Sequence, residues 1–156
     1  MKSHQMSKTA QARAAARLAA VQALYQHEME KTPVPSLLDE FHRHRLGGEV
    51  DPEVEGAQYA EAEVAFFDDV VKGVLARTAE IDALLSAKLA QNWRLERLDK
   101  TMLQILRAGA YELLARADVP TGSAISEYVD VAHAFFEERE AKFVNGVLDA
   151  VAKVVR

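Results

Sequence analysis

Two short runs of this chain carry residue types that can do chemistry with a polyanion. The first lies near the N-terminus, where Arg13 and Arg17 stand four residues apart with Lys8 and Lys2 ahead of them. On a helix that spacing puts both arginines on one face, and a planar guanidinium can donate two hydrogen bonds at once to a phosphate. A solvated helix face, or a contact with a carboxylate of a neighbouring subunit, would use the same residues. The second run is Lys142-Phe143-Val144-Asn145-Gly146-Val147-Leu148-Asp149. Here Lys142 supplies a charge, Asn145 both donates and accepts, and Phe143 offers a ring on which an unpaired base can stack. Single-stranded RNA is read by that mixture of stacking and edge hydrogen bonding. The plainer alternative for Phe143 is core packing, with Asn145 then capping or bridging inside the fold. Gly146 costs roughly 1 kcal/mol relative to alanine in a helix interior, which predicts that another backbone passes close to it or that Asn145 needs room to reach a partner.

Other chemistries are poorly supplied. The chain has no cysteine, which excludes disulfides, cysteine-containing zinc sites and thiol nucleophiles and suits a reduced, cytoplasmic setting. In His42-Arg43-His44 the neighbouring residues fall on different faces of a helix and no third ligand is at hand, so no metal is expected. His133, next to an apolar face, reads as a packed or surface histidine. No nucleophile elbow, phosphate-cradling glycine loop or HExxH motif occurs, so neither a cofactor nor catalysis is expected. No run of 18 uncharged apolar residues is present, which argues against a membrane span.

The net charge of −5 argues against a nucleic-acid binder held by bulk electrostatics. Its distribution is uneven: the charged residues from Met1 to Ala20 are Lys2, Lys8, Arg13 and Arg17, whereas Glu49, Asp51, Glu53, Glu55, Glu61, Glu63, Asp68 and Asp69 follow with no base between them. A local positive end can take a phosphate backbone while the rest of the chain repels it.

The elements that must position these residues are all helices. Apolar residues recur at helical spacing and no segment shows a period of two, so the fold is expected to be all-α, one compact domain of about seven helices. The first helix is predicted from about Ser7 to Lys31, with Leu18, Val21, Leu24 and Tyr25 on one face and Pro33 and Pro35 beyond its end. A second short helix carries Leu37, Leu38, Phe41 and Leu46. Gly47, Gly48, Pro52 and Gly56 mark an acidic, flexible loop from 47 to 63. The third helix carries Phe67, Val70, Val71, Val74 and Leu75, with Glu61 and Glu63 suited to the positive end of its dipole. A fourth holds Ile81, Leu84, Leu85 and Leu89 and ends near Trp93. From Asp99 to Arg116 apolar residues cover more than one face, which predicts a central helix. Ser123 is a plausible cap for the next, with Ile125, Val129, Ala132 and Phe136 in its stripe, and the last is expected to pack Phe143, Val147, Ala150, Val151 and Val154.

Three blocks of the chain resemble the NusB family. They are Arg13 to Tyr25, with Arg17 and Ala20-Val21-Gln22-Ala23-Leu24-Tyr25; Trp93 to Leu113, with Leu95-Glu96-Arg97-Leu98-Asp99, Ile105-Leu106-Arg107 and Tyr111-Glu112-Leu113; and Val119-Pro120 through Ile125 and Glu127 to Lys142–Asp149. The resemblance covers about half the chain, in order. It implies a seven-helix, non-enzymatic RNA-binding fold that binds boxA-type single-stranded RNA, usually with NusE, a small-subunit ribosomal protein, in an antitermination complex with RNA polymerase on ribosomal RNA operons. Carried over residue by residue, it places RNA contacts on Arg13, Arg17, Tyr25, Lys142 and Phe143, and the reading of local charge and hydrogen bonding adds Lys8 and Asn145. Departures from the family's pattern are the alanines between Arg13 and Arg17, which thin the charge, and Arg139-Glu140-Ala141 where relatives carry a small polar cap. A homodimer is compatible with the same sequence. Competing readings are a helical homo-oligomeric interaction protein and a detached NusB-like module of a ribosomal RNA methyltransferase system.

Overall fold

The computed structural model describes residues 7–46, 57–90 and 93–156, and these fall into two compact units, Met1–Asp69 and Val70–Arg156. Among the described residues the secondary structure is seven α-helices and one 3-10 turn, with no strand. No helix is long and apolar enough to cross a membrane.

In the first unit, α1 (Lys8–Glu30) starts at Ser7, whose hydroxyl accepts from the Ala10 N–H at 3.1 Å. It stops where Lys31 adopts φ 57°, left-handed, and donates its N–H to the His27 carbonyl at 2.9 Å. The buried face of α1 is mostly alanine: Ala12, Ala16, Ala19, Ala20 and Ala23 lie with Val21 and Leu24 out of solvent. The predicted stripe of larger residues is thus only half right, because Leu18 is half-buried and Tyr25 is 40% exposed. Small side chains let a neighbour approach closely, and α2 (Val34–His44) packs on α1 and buries Leu37, Leu38 and Phe41. Phe41 stacks on Phe67 at 5.6 Å. That ring belongs to α3 (Ala57–Ala76), which begins six residues before the expected end of the acidic loop; the rest of that loop, 47–56, lies outside the described residues. No acidic residue falls in the first turn of α3, where the sequence predicts Glu61 and Glu63.

In the second unit, α5 (Lys100–Ala115) packs against α4 (Thr78–Lys88), α6 (Thr121–Phe135) and α7 (Glu138–Val155). Burial from Met102 through Leu106 and again from Ala108 through Leu113 makes it the central helix, as its apolar pattern predicts. The stripes of its neighbours differ from expectation. In α6 the buried set is Ala124, Ile125, Tyr128, Val131 and Ala132, the helix is preceded by Pro120 with no side-chain cap, and Ser123 is an exposed residue inside it. Tyr128 is fully buried because its hydroxyl has a partner there, donating to the Glu112 carboxylate, itself 0% exposed. In α7 the buried residues are Ala141, Val144, Val147, Leu148, Val151 and Ala152, while Phe143 is half-buried and Val154 is 56% exposed. The rotation of α7 relative to the predicted stripe is what leaves Phe143 at a wall instead of in the core.

Two further devices hold the unit. Arg107 on α5 clamps Asp82 on α4 through two hydrogen bonds of 2.8 Å. Arg156 donates to the carbonyls of Glu112, Leu113, Arg116 and Val119 at 2.7–3.2 Å, tying the end of α7 to the last turn of α5 and the loop that follows it.

Candidate nucleic-acid interface

The residues singled out in the sequence fall into two groups, one in each unit. In the first, Arg13 and Arg17 share a face of α1, and each guanidinium carbon lies over the Phe66 ring, at 4.8 Å and 4.9 Å from its centroid. Such a contact is worth about 0.5–2 kcal/mol and orients the charged fork. Arg17 is only 3% exposed, so the solvated-face alternative fails for it; Arg13 is half-buried and Lys8 exposed. Tyr25 lies two turns further along α1 and is exposed to solvent.

In the second unit, the start of α7 is set by a capping box: the Glu137 side chain accepts from the Glu140 N–H, and Glu140 Oε1 accepts from the Glu137 N–H at 3.1 Å. The change from a small polar cap to Arg139-Glu140-Ala141 therefore leaves the cap intact, because glutamate supplies both acceptors. The Arg139 guanidinium, 3.2 Å from Glu140, holds that carboxyl below the usual carboxylate range, and backbone hydrogen bonds add to the effect. From this cap the helix carries Lys142, Asn145 and Gly146 on its exposed face. Asn145 makes no side-chain hydrogen bond within the described residues, so the bridging role considered for it has no counterpart here. Gly146 departs from expectation as well: a Cβ built on it meets nothing within 4 Å. No backbone of the described chain passes close to it. The close approaches occur instead at Gly73, against the Tyr111 ring, and at Gly109, against Leu148.

Phe143 packs on Trp93, ring centroids 5.5 Å apart and planes 37° from parallel. Both rings line a groove of about 510 Å³ with Leu98, Met102 and Phe136, and with Arg97, Asp99, Arg139 and Glu140 among them. The sequence offers Trp93 as the end of a helix and as the head of the second block resembling the family, with no binding role; it stands past the end of α4, before the 3-10 turn Leu95–Arg97, and is 53% exposed. The available signal was a lone tryptophan outside any apolar periodicity. His42 pairs with Asp68 of α3 at 2.6 Å and His133 with Glu138 at 3.1 Å. No group of three or more acidic or histidine side chains among the described residues is arranged to hold a metal.

The model of the NusB family matches residues 14–153. The chain belongs to the NusB family. It is 74% identical over 145 residues to the transcription antitermination protein NusB of Novosphingobium aromaticivorans, covering 93% of this chain and 95% of that one. To the protein of the same name from Sphingopyxis alaskensis it is 65% identical, covering 97% and 99%. Among solved structures, NusB from T. maritima superposes with TM-score 0.71 at 31% identity over 90% of each chain. A crystal structure of antitermination factors NusB and NusE in complex with dsRNA gives TM-score 0.74 at 24% identity, covering 92% of this chain and 98% of that one, a likeness of fold. Membership of the NusB family makes the chain a non-enzymatic transcription antitermination factor.

Proposed function

We propose that the chain binds boxA-type single-stranded RNA together with NusE, within a cytoplasmic antitermination complex on RNA polymerase that keeps transcription of ribosomal RNA operons processive. The observation that carries this reading is the start of α7, where Lys142 and Asn145 are exposed and Phe143 sits at a groove wall, available to RNA. The relatives' shared name and the assembly of NusB, NusE and dsRNA in a protein of the same fold support it. Both units serve this function as one domain. In the first, Lys8, Arg13 and Tyr25 contact the strand and Arg17 positions Phe66 and the helix face from beneath; in the second, Lys142 takes a phosphate, Asn145 a base edge and Phe143 supports stacking.

With a net charge of −5 the free chain binds RNA weakly, so affinity is completed by a second protein on the same strand. Two modules on one RNA gain by effective concentration, on the order of 10²-fold, and reciprocity requires RNA to tighten the protein–protein contact by the same factor. The test is titration of a labelled boxA RNA with and without the cognate ribosomal protein. Tighter binding with the partner is expected, with affinity lost in a Lys142→Ala/Asn145→Ala double variant and its salt slope flatter by about 0.7 for the one phosphate contact removed. Equal affinities in both titrations, together with an unaffected double variant, would overturn the reading in favour of a homo-oligomeric interaction protein.

A further inference from the structure

The groove beside Phe143 carries more than a single stacking ring. We propose that Trp93 is the principal base-stacking platform of this protein, that Phe143 backs it from within the groove, and that Arg97 takes the phosphate flanking the stacked nucleotide. The inference rests on the RNA-binding reading above and adds two residues to it.

Three observations converge. First, a half-exposed tryptophan is costly to leave in water and is stabilised here by one aromatic neighbour, Phe143 at 5.5 Å; this contact fixes the ring's orientation while leaving about half of its surface open. A base stacks on such a preorganised ring with little loss of side-chain entropy. Second, the carboxylates lining the groove are already committed. Asp99 accepts from the Thr101 and Met102 N–H groups at 2.8 Å and 3.1 Å, capping α5, and Glu140 is held by the Glu137 N–H and by Arg139. Third, Arg97 is exposed and makes no ion pair among the described residues, so the groove's uncommitted polar capacity is a donor of positive charge. An apolar aromatic wall with an open guanidinium suits a ligand that presents a flat ring and an anion together, which is a nucleotide within a strand. A hydrophobic peptide would gain nothing from Arg97, and an acidic one nothing from Trp93.

The chain holds one tryptophan, so its intrinsic fluorescence reports this site alone. Adding a boxA single-stranded RNA to the full chain at low salt should quench that emission along the same isotherm that a labelled strand gives by anisotropy. An oligonucleotide with one abasic position, moved along the strand, should lose the quench at one position and keep it elsewhere. Trp93→Ala should weaken binding roughly 5- to 150-fold, the fold-change of a lost base stack, with an unchanged circular-dichroism spectrum, while Trp93→Phe retains most of the affinity. Arg97→Gln should flatten the log–log salt slope by about 0.7. RNA bound by anisotropy with no quench, or with Trp93→Phe as damaging as Trp93→Ala and an abasic scan without a minimum, would overturn the proposal while leaving RNA binding standing. Absence of any RNA binding by the natively folded chain, both alone and with the cognate ribosomal protein, would overturn both.

Discussion

Gly73, Gly109 and Gly146 sit inside helices in very different surroundings, and replacing each by alanine separates the two things a helical glycine can be for. Relative to alanine, glycine costs a helix interior about 1 kcal/mol. At Gly146 nothing lies within 4 Å of an added Cβ, so Gly146→Ala should realise the whole gain and stabilise the protein by about 1 kcal/mol, a rise of roughly 2–4 °C in Tm for a chain of this size. At Gly109 the new carbon would fall 2.7 Å and 3.0 Å from the two δ-carbons of Leu148, the far end of a flexible but fully buried side chain. Its adjustment offsets most of the gain, and a change near zero is expected. At Gly73 the Cβ would fall 2.1–2.4 Å from two ring carbons and the hydroxyl oxygen of Tyr111, where ordinary contact begins at 3.4 Å. That ring is only 6% exposed and must retreat by about 1 Å, an overpacking cost of about 1–3 kcal/mol that exceeds the helical gain. Urea titrations of the three variants should therefore order them Gly146→Ala above Gly109→Ala above Gly73→Ala, with the parent chain between the first and the last. A destabilised Gly146→Ala would refute the argument. A stabilised one with impaired RNA or partner binding would place the reason for that glycine in a surface that approaches α7 from outside the chain.

Two further outcomes follow from the second unit. Arg156→Ala leaves the carbonyls of Glu112, Leu113, Arg116 and Val119 without their charged donor, and because water can replace part of that bonding the loss should be about 1–3 kcal/mol by chemical denaturation; Arg156→Lys, a point donor, should recover only part of it. The Glu140 carboxyl is held below its ordinary range in the folded chain by Arg139 and by backbone N–H groups, so its contribution is fully present above the unfolded carboxylate pKa and is lost as pH falls through the folded value. The difference in Tm between the parent and Glu140→Gln should accordingly shrink on acidification, and a difference independent of pH would mean that the charge of Glu140 adds nothing to the start of α7.

What the amino-acid sequence determined by itself was the helical nature of the chain and the location of most of its elements. A 3.6-residue apolar period is a local property, readable without knowing what covers the stripe, and Pro33 and Pro35 mark the junction between α1 and α2 in the same local way. The centrality of α5 was legible too, since a helix apolar on several faces must be enclosed. Residues 14–153 also carry enough of a family's pattern to place the chain within it. Rotation of each helix about its axis was decided only by tertiary packing. A stripe about 100° wide can be satisfied by neighbouring choices, and which one wins depends on the partner's shape. Tyr128 is buried because Glu112 receives its hydroxyl across the α5–α6 contact, and Phe143 is turned out of the core because Val144, Val147 and Leu148 take that place. The same holds for Arg17, charged and early in the chain yet buried over Phe66. Gly146 teaches the converse: its cost in a helix is local and visible in the sequence, whereas the space around its α-carbon is a property of the folded molecule. Trp93 and Phe143 are 50 residues apart, and only the packing of the second unit brings the two rings to one groove.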